Sequence, residues 1–260
     1  MKVVSYSLFG GHRFNEDEKF IFDKYVLGAY FNARMNRLIY PGWKMVIYVD
    51  EVTLNNNLYY DYIDGLVKLF DIAFVPFKCT TLCQGMIQRM DPIFNPTISH
   101  VICRDLDSLT TYREAQCVQE WVGSDFGYHA INDNPSHSGL MGGMIGIKPD
   151  RFKLDFPQYD SLESFIGSSN LEKHGSDQDL INSKLSNKIN HNLLMHSNLY
   201  LKPIIDGIDP KLWESNLCIS FIGSPGVNEM ETLRFFKRFD NKREYIDFEK
   251  QFNNICYWRR

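Results

Sequence analysis

The chain has 260 residues, 44% of them hydrophobic and 14% aromatic, enough apolar side chain to bury a full α/β core as one domain, or one domain with a small appendage. Charged residues make up 23%, which excludes a disordered composition. The formal net charge of −4 argues against a generally basic nucleic-acid binder but leaves room for a local basic groove that holds a diphosphate.

In chain order, Lys2 to Leu8 reads as a first strand, ended by Gly10-Gly11. Its apolar run is too short for a signal peptide and no cleavage site follows. Asp17 to Leu38 carries apolar residues at helical spacing (Phe20, Ile21, Tyr25, Leu27, Ala29, Tyr30), and Pro41-Gly42 breaks the pattern. Met45 to Asp50 is nearly all apolar, as a strand buried on both faces should be. Leu58 to Lys68 reads as a helix, Ile72 to Val75 as a third strand, Ile87 to Met90 as part of a short helix and Ile98 to Cys103 as a fourth strand. Strands alternating with helices predict a mostly parallel sheet flanked by helices. In such sheets ligands bind outside the carboxyl ends of the strands, which directs attention to the residues just after Val49, Val75 and Cys103. Beyond Trp121 the pattern is less regular. Glycines cluster at Gly139, Gly142, Gly143 and Gly146, a helix is expected from Ser176 to Ser186, and a charged helix around Glu229 to Phe239.

The six cysteines, Cys79, Cys83, Cys103, Cys117, Cys218 and Cys256, contain no Cys-x-x-Cys pair. They read as buried or free thiols of a reducing compartment, with a structural zinc at Cys79 and Cys83 as the alternative. No segment is long and apolar enough to span a bilayer. Asn95 and Asn134 are each followed by proline and cannot be glycosylated. These features predict a cytosolic protein. The basic C-terminus (Lys237-Arg238, Lys242-Arg243, Arg259-Arg260) reads as a solvated helix, with weak attraction to an anionic membrane as the sharper alternative.

The chemistry concentrates after the fourth strand, in Arg104-Asp105-Leu106-Asp107-Ser108. Aspartates at i and i+2 point to one side if extended geometry persists. Two converging carboxylates repel unless a cation sits between them, and Mg²⁺ or Mn²⁺ suits such hard oxygens while leaving positions for phosphate. Acids after strands also serve as helix caps. The position at the predicted binding edge favours the metal reading.

The strand, Arg104-Asp105-Leu106-Asp107-Ser108, Arg113-Glu114 and Glu120-Trp121 together resemble the nucleotide-sugar core of GT-A glycosyltransferases. Asn132-Asp133-Asn134-Pro135-Ser136-His137 is similar to an acceptor-side acid segment. Gly142-Gly143-Met144-Ile145-Gly146 is similar to a glycine-rich strand lining the sugar pocket. Ser176-Asp177-Gln178-Asp179-Leu180-Ile181-Asn182 resembles a segment of retaining transferases in the glycogenin and bacterial lipopolysaccharide galactosyltransferase group. The resemblance implies a GT-A fold, a single domain over residues 1–260 with a nucleotide-binding half (1–125) and an acceptor-side half (126–260), and transfer of a hexose from a UDP- or GDP-sugar with retention. It implies metal ligation by Asp105, Asp107 and His196, a sugar contact from Asp177 and Gln178, and a diphosphate contact from Lys202, although Ile204 stands where the group usually has tryptophan.

Other residues join the candidate site from their positions. Ser5, Tyr6 and Ser7 end the first strand, where a nucleotide base should lie. Tyr6 stacks on it or belongs to the core. Arg89 reaches a phosphate or the base, or pairs on a solvated face. Arg104 binds the donor or orients Asp107. Gly142 and Gly143 admit a close ligand approach or shape a turn. Asp133 is the candidate base for an inverting reaction, His137 an acceptor-side companion, and His191 a fallback for His196. Two other classes stay open: a nucleotidyltransferase acting on a sugar phosphate, and a non-catalytic sugar-nucleotide-binding module.

Overall fold

The computed structural model describes residues 1–10, 16–55, 57–79, 81–132, 139–198 and 211–213. Strands β1 (Lys2–Leu8), β2 (Trp43–Asp50), β3 (Ile72–Phe77), β4 (His100–Arg104), β5 (Tyr128–Asn132), β6 (Met144–Ile147), β7 (Leu193–Asn198) and β8 (Lys211–Trp213) form one sheet in the order β3-β2-β1-β4-β6-β5-β7-β8. Every pairing is parallel except the two made by β6, which runs against β4 and β5. The mostly parallel sheet predicted from the strand–helix alternation is the fold observed. Because β6 is reversed, its first residues meet the carboxyl ends of its two neighbours.

The helices are α1 (Glu16–Ile39), α2 (Glu51–Leu54), α3 (Asn57–Leu69), α4 (Leu82–Ile87), α5 (Tyr112–Val122), α6 (Pro149–Asp155), α7 (Leu162–Ile166), α8 (Ser176–Ile181) and α9 (Asn187–Ile189). The short helix expected around Ile87 is α4, which runs on into a 3-10 turn over Gln88–Phe94. The helix expected from Ser176 to Ser186 is α8, continued by a π-helical stretch over Asn182–Ser186. The expected helix at Glu229 to Phe239 lies outside the described residues. No described helix is long and apolar enough to cross a membrane.

Alternation along the strands splits the core in two. Val4, Tyr6, Leu8 and Ile102 face helices α1, α3 and α5, where they pack with Leu27, Phe31, Ile63, Val118 and Trp121. Val3, Val101, Cys103, Tyr128, Ala130 and Ile145 face the opposite layer, built from α4, the 3-10 turn and α6 to α8, with Ile87, Met90, Phe152, Phe165 and Leu180. The two sets interleave residue by residue, the period-2 signature of a strand covered on both faces.

One buried polar network fixes the loop that follows β4. Asn32, on the apolar face of α1, donates from Nδ2 to the carbonyls of Leu106 (2.9 Å) and Ser108 (3.1 Å), and its Oδ1 accepts from the Thr110 amide (3.0 Å). The Thr110 hydroxyl sits between Asn32 Oδ1 (2.9 Å) and Asn36 Oδ1 (3.1 Å), and Asn36 Nδ2 donates to the Tyr6 hydroxyl (3.0 Å). One turn before Asn32, Gly28 lies directly against the Leu106 carbonyl, and a Cβ there would overlap it. Helix and loop therefore touch through backbone, which only glycine permits. Replacing Asn32 by alanine leaves buried backbone groups unpaired, and the expected loss is about 2–4 kcal/mol. It would be read as a lower urea midpoint at unchanged m value.

Candidate active site

The carboxyl edge of the sheet gathers acids from three places. Asp50 ends β2, but its carboxylate is spent on backbone: Oδ1 accepts from Thr53 N (3.0 Å) and caps α2, and Oδ2 accepts from Gly10 N (3.1 Å). The acids after β4 are used differently. Asp105 continues the Val101–Cys103 face and is ion-paired with Arg89 of the 3-10 turn. The Arg89 Nη2 also lies 3.4 Å from Oδ2 of Asp177, the second residue of α8. Arg89 is 4% exposed and Asp177 2%. Burial works against the Arg89 charge, but the Asp105 and Asp177 carboxylates more than offset it and raise its pKa further. Burial pushes the Asp177 carboxyl above its ordinary range, with the Arg89 guanidinium opposing that rise.

Backbone from the start of β6 closes this cluster. A Cβ on Gly143 would overlap the Asp105 carboxylate, and one on Gly142 would lie 2.7 Å from Arg89 Nη2 and 3.6 Å from Asp177 Oδ2. The groups that lie closest to these two glycines are the protein's own. Asn182 holds the preceding loop, accepting from Leu140 N (2.8 Å) and donating to Leu140 O (2.9 Å). Asp107 lies two residues beyond Asp105 and is partly buried. Burial, with the Asp107 and Asp105 charges adding to it, pushes the phenol of Tyr25, on α1, up to about 12.

Two carboxylates in one loop make a hard-oxygen donor pair suited to Mg²⁺ or Mn²⁺, which keep water and phosphate oxygens as their other ligands. Among the described residues no group of three or more His, Cys, Asp or Glu could hold a metal. The described residues thus fit a cation bound by two protein carboxylates, with its other positions open to further oxygens.

His196 is the main correction. It lies on β7, three strands from β4 in the sheet order, roughly 14 Å at ordinary strand spacing. It also faces the other side, under α5. Its Nδ1 is 3.0 Å from His129 Nε2 and its Nε2 is 3.2 Å from Glu120 Oε2, so both ring nitrogens already have protein partners. His191 is exposed and precedes β7, at the opposite edge of the sheet. Arg104 is a second correction. Its Nε donates to Glu114 Oε1 (2.6 Å), which also accepts from the Tyr40 hydroxyl (3.0 Å), all beneath α5. Strand alternation sends Arg104 and Asp105 to opposite faces. Tyr6 is a core residue at 0% exposure, its hydroxyl held by Asn36 and Thr110, so no ring face is open to a base. Ser5 and Ser7 share the Asp105 face, and their buried hydroxyls have no protein partner.

Gln178 is partly buried on α8 beside Asp177. Asp133, His137 and Lys202 lie outside the described residues. Among the described cysteines, Cys79, Cys83, Cys103 and Cys117 are free. The Cys79 and Cys83 thiols donate to different carbonyls, Thr81 O and Lys173 O, which gives the zinc alternative no paired ligands. Sequence reasoning missed Tyr25, Gly28, Asn32, Asn36 and Asn182. The available signal was two asparagines at i, i+4 within the apolar stripe of α1, where polar side chains need partners.

No protein-family model matches the chain, and no curated protein matches it in sequence. Among solved structures it is similar to the mannosyltransferase PcManGT from Pyrobaculum calidifontis in complex with GDP-Man and Mn²⁺ (9% identity, 75% of this chain and 54% of that one, TM-score 0.45). It is also similar to S. aureus TarS (6%, 75% and 57%, 0.46) and to the 4-diphosphocytidyl-2C-methyl-D-erythritol synthase of Anaerococcus prevotii (10%, 79% and 91%, 0.43). At these scores the likeness carries no argument about activity.

The buried histidines give the fold a pH dependence. Burial pushes His196 down to about 4, and burial, His196 and Arg104 hold His129 well below its usual value. Between the ordinary value of 6.5 and about 4 the unfolded chain binds more protons than the folded one, so stability falls as pH falls through that window. His196 contributes about 3 kcal/mol of that loss. His196→Phe is expected to flatten the acid side of a melting-temperature profile and to leave Mn²⁺ affinity unchanged; a large loss of Mn²⁺ binding would return the residue to the metal.

Proposed function

We propose that the chain is a metal-dependent glycosyltransferase of the GT-A type that moves a hexose from a UDP- or GDP-sugar to an acceptor hydroxyl. The observation that carries this reading is the buried Arg89 guanidinium shared by Asp105 and Asp177, beside the Gly142-Gly143 backbone at the carboxyl edge of the sheet. That edge is where ligands of parallel α/β sheets bind. The arrangement joins an acid of the Asp-x-Asp loop to the first acid of the Asp-Gln-Asp segment, the two motifs on which the family resemblance rests.

Asp105 and Asp107 would hold Mg²⁺ or Mn²⁺, which when bound supplies positive charge to a departing diphosphate. Arg89 pairs with Asp105 and holds its carboxylate in place, so little reorganisation is needed when charge develops. Asp177 and Gln178, at the start of α8 beside Arg89, would contact the sugar. Asp177 Oδ1 is buried without a protein partner, and a sugar hydroxyl donating to it would satisfy it. The bond from the anomeric carbon to the diphosphate breaks as one to the acceptor oxygen forms, and the acceptor proton leaves with the departing phosphate. Residues 1–125 supply the nucleotide half of the site and 126–260 the acceptor half.

The test is a crystal soak with Mn²⁺ and a panel of nucleotide sugars, followed by turnover with candidate acceptors. Metal bridging Asp107 and a diphosphate is the expected density. Asp107→Asn is expected to lower turnover about 10²–10³-fold with little change in melting temperature. NMR of the product anomer decides between retention and inversion. Turnover of a sugar 1-phosphate with a nucleoside triphosphate would replace this reading by nucleotidyl transfer. Unchanged biological activity in Asp107→Asn would replace it by a binding module.

A further inference from the structure

A row of polar side chains crosses the sheet one level above the apolar core. Cys103 of β4 and Ala130 of β5 both pair with Ile145 of β6, Ser5 of β1 pairs with Cys103, and Met195 of β7 pairs with Ala130. Ser5, Cys103, Ala130 and Met195 therefore form one level across the four parallel strands. Two residues further along each chain, on the same face, stand Ser7, Asp105, Asn132 and Ser197. β6, between β4 and β5, brings Gly143 to this edge, where the Asp105 carboxylate lies directly against its backbone. Arg89 and Asp177 lie on the same face.

The row has a charged end and a neutral end. At Asp105 the groups are Arg89, Asp105, Asp107 and Asp177. Toward β7 they are Asn132 and Ser197, each 2% exposed. Neither Oδ1 nor Nδ2 of Asn132 has a hydrogen-bond partner, though both atoms are buried. A carboxamide enclosed in this way forfeits the bonds water would give it and is rare in a folded protein. Its donor and acceptor, side by side, match two neighbouring hydroxyls of a sugar ring. Among the described residues this end presents no cation for a phosphate, whereas an uncharged hydroxyl needs none.

We propose that Asn132, with Ser197 beside it, is the subsite for the hydroxyl-bearing, uncharged part of the ligand, and that it selects a sugar rather than the nucleotide. This rests on the glycosyltransferase reading, since that reading puts a sugar beside Asp177. Asn132 is a specificity residue: it binds hydroxyls and takes no part in breaking bonds.

The test uses the full chain carrying Asn132→Leu, nearly isosteric and apolar. A carboxamide without protein partners stabilises nothing, so the melting temperature of the free variant is expected to match or exceed the wild type; a clear fall would show that the protein itself needs the group and overturn the proposal. Calorimetry with Mn²⁺ then compares UDP and GDP with UDP-glucose, UDP-galactose and GDP-mannose. The wild type is expected to bind one of these sugars more tightly than its nucleoside diphosphate. The variant is expected to lose that increment by about tenfold, the scale of one buried hydrogen bond, while binding UDP or GDP as before. A variant that keeps the increment, or a wild type that shows none with any sugar in the panel, overturns the subsite alone. Failure of the wild type to bind any nucleoside diphosphate with Mn²⁺ would instead remove the glycosyltransferase reading.

Discussion

The edge of this sheet is organised by one buried cation. A guanidinium with 4% of its residue exposed is tolerable only when its charge is matched nearby, and Arg89 finds its counter-ions on two separate elements, the loop after β4 and the start of α8. Each of those elements is in turn held by uncharged groups. The loop after β4 is clamped from α1 by Asn32 and pressed against Gly28, and the loop before β6 is held by Asn182. Gly142 and Gly143 then lie where any side chain would push Arg89 or Asp105 away. The geometry of the acids is thus a property of the whole carboxyl edge, and none of the participating segments sets it alone.

The two faces of the sheet use ionisable groups in opposite ways. Beneath α5, Arg104 pairs with Glu114 and His129 with His196, each pair turned inward, while Arg104 Nη2 and His129 Nδ1 keep no partner. They act as core. On the α8 face, Ser7, Asn132, Arg89 and Asp177 each keep at least one buried polar atom without a protein partner. Native interiors seldom leave such atoms unpaired, and on this face they stand in one row at the carboxyl edge beside Asp105.

Much of the fold was legible in the sequence because the strands announce themselves. The first strand was read with its observed ends, and α1 to within one residue at each end, since long apolar periodicity is hard to mistake. The binding edge followed from topology. What failed was facing and order. Asp105 was read with Arg104 as one motif, although neighbours in a strand point to opposite sides. Tyr6 was grouped with Ser5 and Ser7 for the same reason. His196 came in with the family resemblance, yet the sheet order that places β7 beyond β5 and β6 depends on long-range pairing that local pattern does not encode. The asparagine clamps were invisible as function because their role appears only once helix and loop are brought together.

The two carboxylates that Arg89 joins are 16 and 88 residues downstream of it. A chain emerging from the ribosome therefore makes the guanidinium first, its first partner shortly after, and the second only when α8 has been synthesised. Until then Asp105 is the only one of its two counter-ions that Arg89 can pair with. The edge therefore gains its last charged contact only once α8 has been made and docked.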